Sequence, residues 1–183
     1  MGTVSNLGLR KPTNEIVAAG KPLVMELNVE TATNVYPGRL VKKGTNDNDI
    51  VVCGAGENCI GWAGYEQVTN AGYMPTDVDA IYAANAQAPV LYGGGFVVVA
   101  SLADGNVIAK GDRLVAAADG EVSKAAAAVT KAGTGVGDVA VKSTAAAAPI
   151  SGTVPEGGIV VGIAMETVTT TDKSADLMVL SLI

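Results

Sequence analysis

The chain lacks histidine, and aromatic side chains make up only 4% of its 183 residues. Without histidine, general acid–base catalysis would depend on aspartate and glutamate alone. Glycosidases work with such a carboxylate pair, but binding clefts are usually lined by aromatic and apolar side chains. This sequence has one tryptophan, five tyrosines and one phenylalanine. The composition therefore predicts a protein that is not an enzyme, with no catalytic residue and no cofactor-binding residue.

Charge is also scarce, at 16% of residues with a net charge of −6. Binding to a nucleic-acid backbone needs clustered lysine and arginine, and the basic pairs Arg10-Lys11 and Lys42-Lys43 are too small for this. No run of about 18 apolar residues exists to span a membrane, and residues 1–15 lack the apolar segment of a secretory signal. We therefore expect neither nucleic acid nor a membrane as a partner.

The two cysteines, Cys53 and Cys59, lie six positions apart. Zinc would need two further ligands, and without histidine these would have to be carboxylates, which is an unusual set. No metal site is predicted. A disulfide formed in an oxidising compartment and a pair of half-buried free thiols remain two open interpretations of this pair.

Apolar residues recur in short stretches that end at turn residues. Residues 23–29 alternate between apolar and polar side chains, which predicts a strand with one buried face. Phe96 to Ala100 forms an apolar run, and Asp104-Gly105 and Asp119-Gly120 are turn dipeptides. The apolar end of the chain, residues 177–183, is expected to be tied into the sheet. The pattern predicts a mainly β fold, a compact β-barrel or β-sandwich.

The sequence divides into a polar beginning and a single β domain. Residues 1–20 show no sustained apolar period, which is typical of an extended N-terminal arm or of a frayed terminus. Residues 21–183 are predicted to form the domain. Within it, the glycine- and alanine-rich stretch at about 123–150 predicts a loop or a partly helical insertion.

Two parts of the sequence echo each other. Gly38-Arg39-Leu40-Val41 precedes Ile60-Gly61-Trp62-Ala63, and Gly111-Asp112-Arg113-Leu114-Val115 precedes Val161-Gly162-Ile163-Ala164. Each part has a glycine turn, a short strand, a polar turn and then an Ile/Val-Gly-x-Ala strand. The echo predicts two similar β units, packed into one barrel or sandwich around a shared core.

The rhythm of residues 111–122, 161–168 and 175–180 resembles that of small capsid decoration (cement) proteins of tailed viruses. These stretches cover less than half of the chain. The resemblance implies a β-barrel or β-tulip-like body that forms homotrimers on the capsid lattice. It also implies an N-terminal arm that contacts the major capsid protein.

The function expected from this resemblance is that of a virion structural protein. It would be made in the host cytoplasm, bind the outer surface of the major capsid protein lattice and stabilise the capsid. The arm residues expected to contact the capsid are Leu7, Leu9, Arg10, Lys11 and Ile16. The alternatives are a tail-tube or head–tail component, and a surface carbohydrate-binding module. The aromatic candidates for such a module are Trp62, Tyr65, Tyr73, Tyr82 and Tyr92.

Overall fold

The computed structural model describes residues 11–12, 14–30, 34–65, 77–125, 159–169 and 175–183. These residues form thirteen strands and one 3-10 turn, Ala118–Gly120. The strands are β1 (Val17–Ala19), β2 (Leu23–Val29), β3 (Leu40–Lys43), β4 (Asp49–Val52), β5 (Gly61–Ala63), β6 (Gln87–Tyr92), β7 (Val97–Leu102), β8 (Val107–Ile108), β9 (Arg113–Ala116), β10 (Val122–Lys124), β11 (Val160–Ala164), β12 (Val168–Thr169) and β13 (Ala175–Ser181). In this part of the chain no helix is long and apolar enough to cross a membrane.

The first five-stranded unit is a closed barrel with the strand order β2-β4-β3-β5-β6. β2 and β4 are parallel, and all the other neighbours are antiparallel. Alternate side chains of each strand point inward. Leu27, Val29, Val41, Ile50 and Val90 thereby form a buried interior. The alternation that the sequence shows along β2 produces this inner face.

The second unit also closes on itself. Its antiparallel neighbours run β7-β13-β11-β9-β10, and β10 returns to β7 through a parallel pair at Val122 and Leu102. β1 adds to the remaining edge of β7 in antiparallel orientation. A separate pair of strands, β8 and β12, lies beside this ring. The prediction of a mainly β fold with a barrel is confirmed.

The two rings have the same topology, which accounts for the echo in the sequence. β2, β3, β4, β5 and β6 take the places that β7, β9, β10, β11 and β13 take in the second ring. The Gly-x-Ala parts are in register, because Gly61 pairs with Val41 and Gly162 pairs with Leu114. These pairings make Val41 the counterpart of Leu114.

The two echoed glycines are required for the same physical reason. A Cβ atom on Gly61 would lie 2.6 Å from the carbonyl oxygen of Leu91, and one on Gly162 would lie 2.9 Å from that of Leu180. Leu91 and Leu180 occupy equivalent places on β6 and β13. In both barrels the neighbouring backbone comes too close for any side chain at this position.

The barrels pack against each other through one of two buried clusters, which we call the shared core, and the other cluster is the interior of the first barrel. The structure thus has two barrels where the echo predicted one barrel or sandwich around a single core. Leu40, Trp62 and Leu91 on the outside of the first barrel belong to the same buried cluster as Phe96 and Leu177 of the second. The core cluster therefore continues from the interior of the second barrel to the outer wall of the first. Residues on both sides of this contact are fully buried, so the two barrels are expected to unfold as one unit.

Cys53 and Cys59 form a disulfide, with their Cα atoms 5.8 Å apart. It spans the connection between β4 and β5. Glu57 of that connection accepts a hydrogen bond from the amide of Gly54 and forms an ion pair with Lys42. Of the two interpretations of the cysteine pair, the disulfide is therefore the one found.

Removing the disulfide is expected to lower the free energy of unfolding by about 2 kcal/mol, because a short loop is released in the unfolded chain. The measurement compares urea unfolding of the oxidised protein with that of the Cys53→Ser/Cys59→Ser variant. Reductant should shift the curve of the native protein and leave that of the double variant unchanged. Coincident curves for the two proteins would contradict this expectation.

Asp49 lies where β2 and β4 pair in parallel in the first barrel, opposite Asn28. Its carboxylate accepts hydrogen bonds from the side-chain amides of Asn28, at 3.0 Å, and Asn46, at 2.6 Å. These hydrogen bonds lower the pKa of Asp49. The residue is only 9% exposed, so the charged form is retained in a largely buried place by its amide partners.

Stability is expected to decline below about pH 4, near the pKa values of carboxyl groups in an unfolded chain. Asp49, Glu57 and Asp112 have lowered pKa values, the last two chiefly through hydrogen bonds from lysine side chains. Groups of this kind stabilise the fold above their unfolded pKa, and the stabilisation is lost as pH falls through the folded pKa. Burial raises the pKa of Glu121 and of Asp176, so these two groups oppose the trend.

The urea midpoint measured between pH 7 and pH 3 tests this pH dependence. The Asp49→Asn variant keeps the shape of the side chain and removes its titration, so its decline with acid should be shallower than that of the parent protein. Parallel curves for the two proteins would show that Asp49 contributes nothing to the acid sensitivity.

Candidate partner-binding site

The last part of the predicted arm belongs to the body of the protein. β1 pairs with β7, and the amide of Val99 donates a 2.7 Å hydrogen bond to the carbonyl of Ile16. The side chain of Ile16 is 5% exposed and packs in the shared core. In this arrangement the side chain of Ile16 packs in the core of its own chain.

Lys11 fastens the chain to the second barrel. Its ammonium group forms a 2.9 Å ion pair with Glu166 and donates a hydrogen bond to the main-chain carbonyl of Asp176. Glu166 also accepts a 2.9 Å hydrogen bond from the amide of Met178. Lys11 is therefore engaged within the chain and fixes the point from which residues 1–10 depart.

The three other predicted contact residues, Leu7, Leu9 and Arg10, lie outside the described residues. Their contact with the capsid stays a prediction. The glycine- and alanine-rich insertion is also outside them from residue 126 onward. Strand β10 continues to Lys124, so the strand includes the first residues of the predicted insertion.

A cavity of about 440 Å³ lies between the end of the predicted arm and the two barrels. The arm contributes Lys11, Pro12, Glu15 and Ile16 to its lining. Its walls include the charged residues Lys11, Glu15, Arg39, Asp79 and Asp176. Burial raises the pKa of Asp176, and the nearby carboxylates of Asp79 and Glu166 add to this effect while Lys11 opposes it. The cavity is thus a polar space in which acidic groups are crowded together.

Arg39 forms part of the wall of this cavity and joins the two barrels. Its guanidinium donates a 2.9 Å hydrogen bond to the carbonyl of Asp119 and lies 3.3 Å from the carboxylate of Glu121. It also lies 4.8 Å from the centre of the Tyr36 ring, within the range of a cation–π contact. These contacts hold Arg39 in place, so it acts as a fixed part of the wall.

A second cavity, of about 300 Å³, runs between β1 and the outside of the first barrel. Most of its lining is apolar, including Val17, Pro22, Val24, Pro89 and Leu91. Val24 is 51% exposed. The groove therefore presents apolar surface beside an exposed strand.

Three of the six exposed large apolar residues in the described part of the chain lie close together. We call this group, Leu23, Val24 and Leu182, the apolar end. Leu23 is 58% exposed and Leu182 is 49% exposed. They flank the Gly93–Gly95 turn, because Leu23 lies against Gly93 and Leu182 lies against Gly94. Adjacent exposed apolar side chains of this kind are typical of interaction surfaces.

The sequence pattern did not reveal the apolar end. Alternation along residues 23–29 predicted that Leu23 would be buried, and the structure shows that it is exposed. The strand pairings of the two barrels make Leu23 equivalent to Phe96, a correspondence that the echo in the sequence does not include. Phe96 is fully buried, so the difference between the two positions marks the site.

Two of the aromatic candidates for sugar binding are buried. Trp62 is 0% exposed and Tyr82 is 1% exposed, and the hydroxyl of Tyr82 donates a 2.7 Å hydrogen bond to the carbonyl of Gly64. Tyr65 and Tyr92 are half-buried, and Tyr73 lies outside the described residues. Trp62 and Tyr82 are therefore closed to a sugar ring.

Among the described residues no three or more cysteine and carboxylate side chains are grouped closely enough to hold a metal ion. The described residues form two barrels, and Lys11 and β1 attach the N-terminal part of the chain to the second barrel. A charged cavity and the apolar end lie on their surface.

No protein-family model matches the sequence, and a search of curated proteins gives no match either. Among solved structures, the chain is similar to the head fiber gp8.5 N base of bacteriophage phi29, with a TM-score of 0.43 and 12% sequence identity. The similarity covers 87% of this chain and 94% of that chain.

Proposed function

We propose that the protein is a virion structural protein that binds the outer surface of a capsid, on the lattice of the major capsid protein, and stabilises it. The observation that carries the proposal is the position of the three stretches that resemble decoration proteins. Residues 111–122, 161–168 and 175–180 are separated in sequence, but they supply β9, β11 and most of β13. These strands are consecutive in one barrel, so the resemblance follows a structural unit.

The construction of the body suits a protein that acts by contact. The two barrels pack against each other through the shared core, and the disulfide and Arg39 add further links within and between them. Binding by a rigid surface loses little conformational entropy, so more of the contact energy remains as affinity. On a lattice, many linked contacts of modest strength combine into firm attachment.

The same construction bears on which parts of the chain meet a partner. Lys11 and Ile16 are used within the body, so partner contact by the arm falls to residues 1–10. The apolar end offers further surface, since its residues are about half exposed. Self-association into a trimer would place several copies of the body on the lattice at once.

Binding to capsids tests the proposal. Purified protein is added to cognate capsids that lack it, and the temperature at which they release their DNA is measured. Saturable binding and a higher release temperature are expected, because each bound copy stabilises the assembled state by mass action. The control is the same protein unfolded by reduction and heat. Binding to isolated tails with none to capsids would favour a tail component instead.

A further inference from the structure

The two equivalent strands β2 and β7 can be compared position by position. Each pairs along its whole length with the strand that closes its barrel, and near its C-terminal end with a parallel strand. Val24 faces Leu91 on β6, and Val97 faces Leu180 on β13. Since Leu91 and Leu180 are equivalent, Val24 corresponds to Val97, and Leu23 corresponds to Phe96.

The strands differ along the N-terminal half of their second edge. On β7 this edge is covered by β1, which pairs Val17 with Val98 and Ala19 with Val97. On β2 none of the described strands pairs with Leu23, Val24 or Met25 on this side. We call the main-chain edge of these three residues the open edge.

The exposed fractions of the side chains follow this difference. Phe96 is 0% exposed and Val97 is 6% exposed, whereas Leu23 is 58% and Val24 is 51% exposed. The two barrels therefore show equivalent strand edges, one with an added strand on β7 and one without an added strand on β2. Phe96 also packs in the shared core, so an added strand at the open edge would cover Leu23 and Val24 in part.

The main chain of Val24 is oriented to receive a strand. In a β-strand, alternate residues direct their main-chain groups to opposite edges. The amide of Asn28 donates to Asn48 on the side of β4, at 2.8 Å, and Val24 lies four residues earlier with the same parity. The amide and carbonyl of Val24 therefore point outward from the open edge, on the side opposite to β6.

We propose that the open edge binds residues 1–10 of a second copy of this chain as an added β-strand. β1, with the sequence Val-Ala-Ala, shows that a short extended stretch binds the equivalent edge through main-chain hydrogen bonds. Residues 1–10 include Leu7-Gly8-Leu9, in which apolar side chains alternate with a glycine. Main-chain hydrogen bonds would supply affinity, and Leu7 and Leu9 would supply apolar contact.

The point of departure of residues 1–10 favours a second copy over the same chain. Lys11 is held beside Asp176, which pairs with Ser101, whereas Gly20 lies against Phe96 at the other end of β1. To reach its own open edge, the segment would have to turn back at Lys11 and pass residues 14–17, which line the same groove as Val24. Ten extended residues span about 33–36 Å, which is enough to reach a neighbouring molecule.

The predicted contact has a consequence for symmetry. The donor segment and the open edge are different surfaces, so the contact is heterologous and closes into a ring when the rotation permits. A ring of three copies would be the trimer expected on a capsid lattice. The inference rests on the self-association part of the proposed function, and it assigns residues 1–10 to a neighbouring copy.

Light scattering after size-exclusion chromatography tests the contact. The full chain should elute as an oligomer, and deletion of residues 2–10 should yield single copies. Val24→Pro removes the amide at the open edge while leaving the pairing with β6 intact, and it should also yield single copies. Val24→Thr keeps the amide and the β-branched shape, and it should remain an oligomer. An oligomer that survives the deletion unchanged would overturn the proposal.

A synthetic peptide of residues 1–10 separates a lost contact from a misfolded variant. It should bind the deletion variant saturably and bind the deletion variant carrying Val24→Pro at least tenfold more weakly, while urea unfolding verifies that both variants are folded. Absence of peptide binding to the deletion variant would overturn the proposal. If the deletion variant stays oligomeric but no longer binds capsids, the segment binds the capsid, and the proposal fails while the proposed function stands. Oligomers that dissociate as expected, but never bind capsids, leave the proposal standing and contradict the proposed function.

Discussion

Replacing Trp62 with alanine is expected to lower the free energy of unfolding by about 3–5 kcal/mol. The indole is fully buried where the first barrel meets the second, and its Nε1–H donates a 3.0 Å hydrogen bond to the hydroxyl of Ser181. The substitution leaves a cavity in the shared core and removes the donor to Ser181. Because small domains are stable by only about 5–15 kcal/mol, a large part of the total would be lost.

Two further variants divide this effect into its causes. Trp62→Phe retains most of the buried volume and loses the hydrogen bond, and Ser181→Ala leaves the indole N–H buried without its acceptor, at a cost of about 1–3 kcal/mol. Val107→Ala serves as the control, since Val107 is 62% exposed. Urea unfolding at one temperature measures all four. A loss below about 1 kcal/mol for Trp62→Ala would show that the barrels do not depend on this contact.

Replacing Gly38 with alanine is expected to cost about 2–5 kcal/mol, the sum of a strained backbone and an overpacked contact. Gly38 has a φ of +77°, and a Cβ atom there would lie 2.5 Å from the carbonyl oxygen of Val99. Val99 belongs to β7, so the clash falls between the two barrels. Relief would require the barrels to move apart, since the obstructing atom belongs to the backbone.

Gly105→Ala measures the free-energy cost of the backbone strain in the absence of a close contact. Gly105 has a similar φ of +73°, but no atom lies within 4 Å of where its Cβ atom would be. It should therefore cost only about 1–2 kcal/mol. Urea unfolding of the two variants gives the difference directly. Equal losses would mean that the approach of the barrels at Gly38 contributes nothing.

Local patterns in the sequence were sufficient to predict most strands. The alternation of residues 23–29 matches β2 from end to end, and the closing strand β13 falls within two residues of the predicted apolar run. Turn residues such as Gly105 have the positive φ that their turns require. These features depend on neighbours in sequence, and so they can be read from sequence alone.

The arrangement of the strands depends on contacts between distant residues. The echo predicted two units with a shared core, but it did not show that each unit would close its own barrel. Closure depends on the parallel pairs that join Val122 to Leu102 and Val29 to Ile50. Parallel pairs have no turn signature, because their strands are not consecutive.

The candidate site was only partly predictable for the same reason. Ile16 was expected to face a partner, and its apolar side chain packs in the shared core because β1 adds to β7. Lys11 was expected to contact the capsid, and it binds Glu166, a residue far away in sequence. A pattern of apolar and basic residues does not distinguish a contact within the chain from a contact with a partner. The open edge became visible only by comparing the two barrels.

The proposed function links the echo in the sequence to a role in assembly. Two barrels of the same topology form a rigid body, and the position at which they differ is the one that exposes apolar residues and a strand edge. Under the proposed function, the protein would bind by adding surface and main-chain hydrogen bonds to a partner. We propose that such contacts stabilise an assembled capsid.

Electron cryomicroscopy of cognate capsids, reconstructed with and without added full-length protein, tests the central claim most directly. If the proposed function is correct, additional density appears on the outer surface at repeated positions of the lattice. The two barrels fit into this density, and neighbouring copies are in contact. Identical maps at saturating protein, or additional density confined to the tail or the head–tail junction, would contradict it.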